Sequence, residues 1–271
     1  MAFLSDEEVM HLFKLESTSQ LFERLVTCCY KAVLRPGDTA VDCGAHKGLH
    51  TFPMAEIVGA SGKVHAYEAI PSLVKELQEQ IASRHLTQVK LHGQAVSSAP
   101  GEARFVWIKN GEGVSGLRDR DVSGLVPEPD NEYLTVPVTT IDMLSPDALD
   151  RWRFCKLDIE GAELDALKGA RRHLSNYNPV LVFENGRGVS AGYFGYTRDE
   201  YFDFFKEIGY VQFDLFGRDF GPDQWEPAYI PWNTIAVRAR SLDEEFFRDG
   251  YPGLLQGVRG NANGSRAPIE V

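Results

Sequence analysis

Short apolar runs alternate with segments of helical periodicity along most of the chain, and this alternation constrains the fold more than any other feature. Five runs have the length and composition of a buried strand: TAVDC, KVHAYE, VKLHGQAV, RFCKLDI and PVLVFE. Between them lie three segments that predict helices: GLHTFPMAEIVG, PSLVKELQEQIASRH and AELDALKGARRHLSNY. Strands that alternate with helices of this length predict an α/β fold with a mostly parallel sheet and helices on both faces.

The alternation is interrupted once and ends with two strands in succession. EARFVWI and YLTVPVTTI are predicted strands of an inserted β-hairpin at about residues 101–138, and they flank a loop from Lys109 to Glu132. Loops of this length in a compact domain are often lids or binding loops. After NGRGVSAGYFGY, which predicts a loop, and the helix RDEYFDFFKEIG, the strands YVQFDLF and NTIAVRAR follow each other directly. We expect them to form an antiparallel last pair in a seven-stranded sheet.

The segments outside this alternation define the domain limits. Helical spacing before the first strand predicts one or two helices, so residues 1–36 form an N-terminal helical extension, residues 37–240 the main domain and residues 241–271 a C-terminal tail. The tail ends in RGNANGSRAPIEV, which has no apolar periodicity and is expected to be disordered. The N-terminal helices are expected either to close a binding site or to form the face of a homodimer.

Charge and cysteine content exclude several classes of function. The formal net charge is −11, which disfavours binding to nucleic acids and to anionic membrane surfaces. An acidic N-terminus speaks against a secretory signal, and a membrane span needs about 18 consecutive apolar residues, which the chain lacks. The four cysteines form no CxxC pair, so we expect buried thiols in a reducing compartment. These features predict a cytoplasmic protein.

The segment VDCGAHKGLHT places a tight turn between the first strand and its helix. Gly44 allows the backbone to approach a ligand, and Gly48 relieves crowding where the helix begins. The spacing differs from the G-x-G-x-x-G of dinucleotide sites, and Lys47 does not precede the Ser or Thr of a P-loop. Asp42 would repel a pyrophosphate but suits an ammonium group or hydroxyls. The methionyl amine of S-adenosylmethionine meets that requirement.

Two further strand ends extend this site. Glu68 follows the second strand, where an acid accepts hydrogen bonds from ribose hydroxyls. Gln94 follows the third strand and is placed to meet the edge of an adenine, as is a backbone amide near Ala95. In this order, on successive strand ends, these residues predict an adenosyl ligand. The expected cofactor contacts are Asp42, Gly44, Ala45, Gly48, Glu68, Gln94 and Ala95.

Several segments resemble the FkbM family of S-adenosylmethionine-dependent methyltransferases: VDCGAHKGLHT, HAYEAIPS, VTTIDML, CKLDIEGAELDALKGARRHL and PVLVFE. The most specific lies at Lys156 to Glu163, and the resemblance covers roughly Asp38 to Arg238. It implies a class I methyltransferase Rossmann-like fold, S-adenosylmethionine as cofactor and, mostly, O-methylation of hydroxyls on sugars or natural products. The family's loop usually reads like GANIG, and this chain departs from it at His46 and Lys47.

Candidate catalytic residues lie near the end of the fourth strand and in the glycine loop. Methyl transfer from a sulfonium is an in-line displacement, so alignment supplies much of the acceleration. A weakly nucleophilic hydroxyl also needs a base or a metal. Asp158 is the first choice for a carboxylate in the acceptor half of the site, although it could instead cap the following helix. Glu160 and His46 are the other catalytic candidates.

The ends of the fourth and fifth strands also suggest a metal site. Asp158, Glu184 and Asn185 occupy positions similar to the Mg²⁺ ligands of catechol-type O-methyltransferases, and oxygen ligands suit that ion. We therefore hypothesise a Mg²⁺ or similar site there. Four aromatic residues are candidates either for stacking on an acceptor ring or for ordinary packing: Tyr193, Phe194, Tyr196 and Trp225.

The predicted function is transfer of a methyl group from S-adenosylmethionine to a hydroxyl of a small-molecule or glycan acceptor. The alternatives are an N- or carboxyl-methyltransferase of the same fold and a non-catalytic S-adenosylmethionine-binding protein. A nicotinamide-dependent oxidoreductase is disfavoured because the third glycine of its fingerprint is missing.

Overall fold

The computed structural model describes residues 18–226 and 231–260. The described residues form ten strands. They are β1 (Thr39–Cys43), β2 (Lys63–Tyr67), β3 (Val89–His92), β4 (Ala95–Val96), β5 (Gly101–Ile108), β6 (Asn131–Thr139), β7 (Trp152–Leu157), β8 (Val180–Glu184), β9 (Tyr210–Asp214) and β10 (Asn233–Arg238).

The helices cover both faces of the main sheet. They are α1 (Thr18–Val33), α2 (Thr51–Val58), α3 (Pro71–Ser83), α4 (Glu163–Lys168), α5 (Arg171–Tyr177), α6 (Gly188–Phe194), α7 (Arg198–Glu207), α8 (Leu242–Glu245) and α9 (Tyr251–Gly260). A π-helical turn at Phe246–Gly250 joins α8 to α9, and short 3₁₀ turns lie at Glu112–Val114, Ile141–Met143 and Pro222–Gln224.

Seven strands form the main sheet in the order β3-β2-β1-β7-β8-β10-β9. The first five are mutually parallel, whereas β10 lies antiparallel between β8 and β9. The predicted mostly parallel seven-stranded sheet with an antiparallel last pair is therefore confirmed. Strand β1 is buried along its whole length, as expected for a parallel strand covered on both faces.

Two apolar layers cover the sheet. One packs α1, α2 and the C-terminal helical segment against residues such as Phe154, and the other packs α4, α5 and α7 against residues such as Cys155. Neighbouring residues of β7 thus face opposite layers, because side chains alternate along a strand. This arrangement exposes only the strand ends, where a ligand can be bound.

The inserted hairpin is confirmed, but its surroundings differ from the prediction. Strands β5 and β6 are antiparallel, and β4 adds to β6 in parallel to make a separate three-stranded sheet. The run VKLHGQAV is therefore not one strand, because Ala95 and Val96 leave the main sheet to pair with Val138 and Thr139. The loop between β5 and β6, residues 109–130, is called the insertion loop below. Its Val122 packs against the hairpin.

Two predicted segments between β7 and α7 are organised differently. The segment predicted as one helix from Ala162 to Tyr177 divides into α4 and α5 around Gly169. A side chain at Gly169 would place its Cβ 2.2 Å from the carbonyl oxygen of Ser97, so the chain turns here against a neighbouring backbone. The segment NGRGVSAGYFGY, predicted as a loop, contains the short helix α6.

The predicted C-terminal tail is largely folded. Residues 242–260 are helical, and Phe247, Tyr251 and Leu255 are buried in the same layer as α1. The Tyr251 hydroxyl lies 3.2 Å from Cys29 Sγ. The apolar residues of this segment have a helical spacing that the prediction overlooked. The segment expected to be disordered, residues 259–271, begins with the last two residues of α9. Its remainder, and the part of the N-terminal extension before residue 18, lie outside the described residues.

All four cysteines are buried free thiols, as predicted. Among the described residues, no helix has both the length and the apolar character needed to cross a membrane.

Candidate active site

A cleft opens at the carboxyl ends of β1, β2 and β7, between the glycine loop and the insertion loop. The cleft brings together most of the residues that the sequence predicted for the site. Those that line it are Gly44, Ala45, His46, Glu68, Gln94, Ala95, Asp158 and Glu160. Asp42, Gly48, Glu184 and Asn185 are not among the lining residues.

The glycine loop brings two strand ends into direct contact. Gly44 has φ +81°, and a Cβ at this position would lie 1.9 Å from the carbonyl oxygen of Asp158. Only glycine permits this approach. Gly48 has φ +84°, and a Cβ there would lie 2.3 Å from the ring of Phe52. Gly48 therefore supports the start of α2 rather than the wall of the cleft.

Asp42 is placed differently from the prediction. Its side chain is fully buried, its Oδ2 accepts a hydrogen bond from Thr51 Oγ1 at 2.5 Å, and its Oδ1 lies 3.8 Å from Lys156 Nζ. The carboxylate thus joins β1 to α2 and β7 beneath the cleft. It does not offer an oxygen to an ammonium group in the cleft.

Glu68 lies where the sequence predicted a ribose contact. Its two carboxylate oxygens accept hydrogen bonds from the backbone amides of His46 and Ile70, each at 2.8 Å. Burial raises the pKa of Glu68, and these amide hydrogen bonds act against that increase. Each oxygen accepts one of these amide hydrogen bonds. Each can still accept a second hydrogen bond, from a hydroxyl in the cleft.

The end of the cleft beyond Glu68 is mostly apolar. Ile70, Val96, Phe105 and Leu117 line it together with Gln94. Phe105 and Leu117 come from the inserted hairpin and the insertion loop. An apolar slot with one amide side chain at its edge suits a flat heterocycle such as adenine. The hairpin thereby supplies a wall that the strand ends alone do not provide.

His46 adopts a left-handed conformation, with φ +49°. Its backbone amide donates to Glu68, so this conformation fixes the loop against β2. Its side-chain Nε2 is buried and has no hydrogen-bond partner among the described residues. His46 therefore lines the cleft, as predicted, with a ring nitrogen that is not used within the fold. Lys47, the neighbouring departure from the family's pattern, pairs with Glu112 of the insertion loop at 3.2 Å.

Lys156 is a residue of the site that the sequence analysis missed. Its Nζ lies 3.3 Å from Asp158 Oδ2 and donates to the carbonyl oxygen of Gly44 at 3.3 Å. Burial acts to lower the pKa of Lys156, but the charges of Asp158, Asp42 and Glu23 outweigh it and raise that pKa. The ammonium group is therefore charged. A lysine inside the apolar strand RFCKLDI was the available signal, because a buried lysine needs a partner.

Three carboxylates meet at the ends of β7 and β8. Oxygen atoms of Asp158, Glu160 and Glu184 lie within 4.8 Å of one another. Burial and the charge of Asp158 raise the pKa of Glu160 to about 7, and Arg120 of the insertion loop, which forms an ion pair with Glu160, acts against this increase. Burial and the charges of Glu160 and Asp158 also raise the pKa of Glu184. Near neutral pH this cluster can therefore hold or accept a proton.

Asn185 does not join this cluster. Its Nδ2 donates to the Tyr201 hydroxyl at 2.9 Å and to Thr234 Oγ1 at 3.3 Å, while its Oδ1 accepts from the amide of Arg187 at 3.1 Å. These contacts use the side chain to connect β8 with α7 and β10. The structure thus places Glu160, in place of Asn185, beside Asp158 and Glu184.

Asp158 does not cap the helix that follows it, because the residue preceding α4 is Ala162. The adjoining turn is instead stabilised by Glu163, whose Oε1 accepts from the amides of Ile159 at 2.8 Å and Gly161 at 3.2 Å. Burial raises the pKa of Glu163 to about 8. Asp158 is left with a side chain that is 35% exposed and directed to the cleft.

The insertion loop, which supplies Leu117 to the cleft wall, also contacts α6. The backbone amide of Asp121 donates to the Tyr193 hydroxyl at 3.1 Å, and the Arg118 guanidinium carbon lies 5.3 Å from the centre of the Phe194 ring. Trp225, by contrast, is buried against Tyr201, which fits the packing alternative for that residue. The two segments that the sequence placed on one cleft therefore touch each other.

Helix α1 also reaches the cleft. Glu23 of α1 and His50, the residue before α2, both line it. His50 Nε2 lies 2.5 Å from Glu23 Oε2, with His50 only 4% exposed and Glu23 43% exposed. The ring of Tyr30 packs edge-on against His50 at 5.8 Å. The described part of the N-terminal extension thus contributes a residue to the wall of the cleft.

The residues of the cleft fit S-adenosylmethionine, the cofactor that the resemblance implies. Gly44 permits close approach to the backbone, Glu68 offers buried carboxylate oxygens, and Phe105 helps to form an apolar slot. An unpartnered buried nitrogen of His46 adds an unused polar group. These features match a ligand that combines an aromatic base, a ribose and a charged sulfonium chain.

The chain is similar to a methyltransferase family and to a methyltransferase of known sequence. The family model described as the methyltransferase FkbM domain matches residues 42–211, more than half of the chain. A protein-L-isoaspartate O-methyltransferase from Ignicoccus hospitalis is 40% identical over 50 residues, which are 18% of this chain and 24% of that protein. The match thus spans about a quarter of that relative's length.

Two solved structures are also similar to the chain. Methyltransferase FkbM from Methylobacillus flagellatus is 21% identical over 77% of this chain and 49% of that chain, with a TM-score of 0.44. An S-adenosylmethionine-dependent O-methyltransferase from Thermotoga maritima is 14% identical over 81% of this chain and 65% of that chain, with a TM-score of 0.42. The chain thus spans about half the length of the first of these proteins.

Proposed function

The chain belongs to the FkbM methyltransferase domain family, and on this premise we propose that it methylates a hydroxyl of a sugar, glycoside or natural-product acceptor. S-adenosylmethionine is the methyl donor of this class of enzyme and supplies a methyl group already activated for displacement. The residues of the chain must then align the acceptor and remove its proton.

The observation that supports a hydroxyl acceptor is the position of Asp158. Its partly exposed carboxylate is directed to the cleft beside Gly44, and Lys156 holds it at 3.3 Å. A carboxylate in this position accepts a hydrogen bond from a hydroxyl, orients the oxygen and takes the proton as the new O–C bond forms. Glu160, with a pKa raised to about 7, is placed to share that proton.

The charge of the cluster also bears on the alternatives. A carboxylate acceptor would have to enter beside Asp158, Glu160 and Glu184, and the negative charge that remains on this cluster beside Lys156 and Arg120 would repel it. This argument disfavours a carboxyl-methyltransferase. An amine acceptor is not repelled in this way, so the nitrogen alternative is decided by identifying the methylated atom in the product.

The same cluster bears on the predicted metal site. Three carboxylates within 4.8 Å can offer oxygen ligands to Mg²⁺. However, Lys156 already pairs with Asp158 and Arg120 with Glu160, and Asn185 is directed elsewhere. The protein's own cations thus balance part of the charge that would attract a divalent ion. We therefore propose a side-chain base in preference to Mg²⁺.

The proposal is tested with labelled S-adenosylmethionine and a panel of hydroxylated acceptors, with the product examined by NMR. We expect the methyl group on oxygen. We expect Asp158→Asn to lower kcat by about 10²–10⁴-fold without changing the affinity for S-adenosylhomocysteine. Asp203→Asn, on the exposed face of α7, is the matched control and should retain full activity.

Two results would contradict this proposal. Undiminished turnover by Asp158→Asn would show that Asp158 is not the base. A methyl group on nitrogen would show that the acceptor is not a hydroxyl. Treatment with a strong chelator separates base from metal. We expect the activity to be unchanged after this treatment. A loss of activity that is reversed by adding Mg²⁺, and by nothing else, would support the metal hypothesis.

A further inference from the structure

We propose that Glu23 of α1 binds the α-ammonium group of the cofactor's methionyl portion and that His50 is the positioning residue for Glu23. This inference rests on the proposed use of S-adenosylmethionine. It gives the N-terminal helix a defined role in the site. It also reassigns a contact that the sequence predicted for Asp42.

The location of Glu23 supports this role. Glu23 lines the same cleft as Gly44, Lys156 and Asp158, and its charge is among those that raise the pKa of Lys156. Gln94 and the apolar slot belong to the β3 side of the cleft, whereas Lys156 and Asp158 end β7 on the other side of β1. An adenine in the slot would leave the amino-acid end of the cofactor on the β7 side of the cleft, where α1 packs against β7.

The contact with His50 prepares Glu23 for this interaction. The His50 ring is almost fully buried, packs against Tyr30 and holds Glu23 Oε2 at 2.5 Å from its Nε2. Glu23 itself is 43% exposed, so its carboxylate is anchored on one side and open to the cleft on the other. A pre-oriented carboxylate loses less side-chain freedom when it binds a cation.

The other acids near the methionyl end lie beside a cation of the protein itself. Asp42 is buried between Thr51 and Lys156 and does not line the cleft. Asp158 lies 3.3 Å from the Lys156 ammonium group, which competes with any second ammonium group for its oxygens. Glu23 is thus the acid of the cleft wall whose described partner is a histidine rather than a lysine or arginine. A hydrogen bond between the Glu23 carboxylate and an ammonium group is charge-assisted, and such hydrogen bonds are stronger than those between neutral groups.

The test compares two ligands that differ only in the amine. One is S-adenosylhomocysteine, and the other is 4-(5′-adenosylthio)butanoate, which lacks the α-amino group. Isothermal titration gives the affinity of each for the wild type and for Glu23→Gln. We expect the substitution to weaken binding of S-adenosylhomocysteine by about tenfold or more and to leave the affinity for the deamino ligand unchanged. Glu56→Gln, at an exposed position of α2, should change neither affinity.

The affinity for S-adenosylhomocysteine divided by the affinity for the deamino ligand is an internal control for folding. A misfolded variant loses affinity for both ligands, and this ratio then stays unchanged. His50→Leu should lower this ratio as Glu23→Gln does, and His50→Gln, which can still donate to Glu23, should restore part of it. An unchanged ratio in Glu23→Gln would overturn the inference. Failure of the wild type to bind S-adenosylhomocysteine would instead overturn the proposed function.

Discussion

Lys156 Nζ lies 3.3 Å from Asp158 Oδ2 and 3.8 Å from Asp42 Oδ1. A single buried ammonium group in the wall of the cleft therefore joins the end of β7, the central strand of the sheet, to the end of its neighbour β1. The same ammonium group donates to the carbonyl oxygen of Gly44. The Lys156 side chain thus both positions the glycine loop and balances the negative charges of Asp42 and Asp158.

Replacing Lys156 by Met should destabilise the protein strongly. The substitution keeps the apolar stem but leaves Asp42 buried without its cation, and breaking a buried pair in this way costs about 3–5 kcal/mol. Urea denaturation measures the loss of unfolding free energy. Lys168→Met, at a partly exposed position, should change it by less than about 0.5 kcal/mol. The Asp42→Asn, Lys156→Met double variant should recover part of the loss, and strict additivity would contradict the pairing.

Stability should fall as the pH rises through the titration of Glu160. Burial and the charge of Asp158 raise the pKa of Glu160 from 4.5 to about 7. The folded protein then holds a proton that the unfolded chain releases near pH 4.5, so this contribution is complete below that pH and is lost as the pH approaches 7. Glu160→Gln stays neutral. The variant should therefore gain on the order of 1 kcal/mol relative to the wild type between pH 4 and pH 8.

Urea denaturation at several pH values checks this expectation. Glu160 faces Asp158, Glu184, Arg120 and Lys156, so the comparison of variant with wild type reports the titration of Glu160 together with the change that its loss causes in Glu184. Glu79→Gln, on the exposed face of α3, should show no gain with pH. A constant difference between Glu160→Gln and the wild type over this range would show that the folded pKa is not raised.

Replacing Gly44 by Ala should damage both the fold and the cofactor site. The added Cβ would lie 1.9 Å from the Asp158 carbonyl oxygen, at a residue with φ +81°. Relief of this overlap must separate the ends of β1 and β7. We expect a loss of about 2 kcal/mol or more in thermal unfolding experiments and a weaker affinity for S-adenosylhomocysteine. Gly124→Ala, where a Cβ meets open space, is the control, and equal behaviour of the two variants would contradict this account.

The parts of the fold that depend on local pattern were predictable from the sequence. TAVDC coincides with β1, because a strand buried on both faces is a continuous apolar run. The division of VKLHGQAV was not predictable, since Ala95 and Val96 are drawn away by pairing with β6, about forty positions later in the chain. The folded C-terminal segment was overlooked for a similar reason. The apolar residues of this segment pack against α1, which is more than 200 positions earlier in the chain, so local pattern did not show what they would contact.

The candidate site divides in the same way. Residue types and their order on strand ends placed Gly44, Glu68, Gln94 and Asp158 around one cleft. The direction of a side chain depends on partners that are distant in sequence, so the orientation of Asp42 followed from Lys156, and that of Asn185 from Tyr201. Glu23 had no distinguishing signal, because an acid on an amphipathic helix is usually solvated.

The contact between Cys29 and Tyr251 joins residues 222 positions apart. During synthesis on the ribosome, α1 emerges long before the helix that covers it, so part of its apolar face remains open until residue 251 has been released. If Glu23 holds the cofactor as inferred, a nascent chain stalled before residue 251 would carry a complete glycine loop but an unsecured methionyl end. Full affinity for the ligand would then be reached only after α9 has been synthesised.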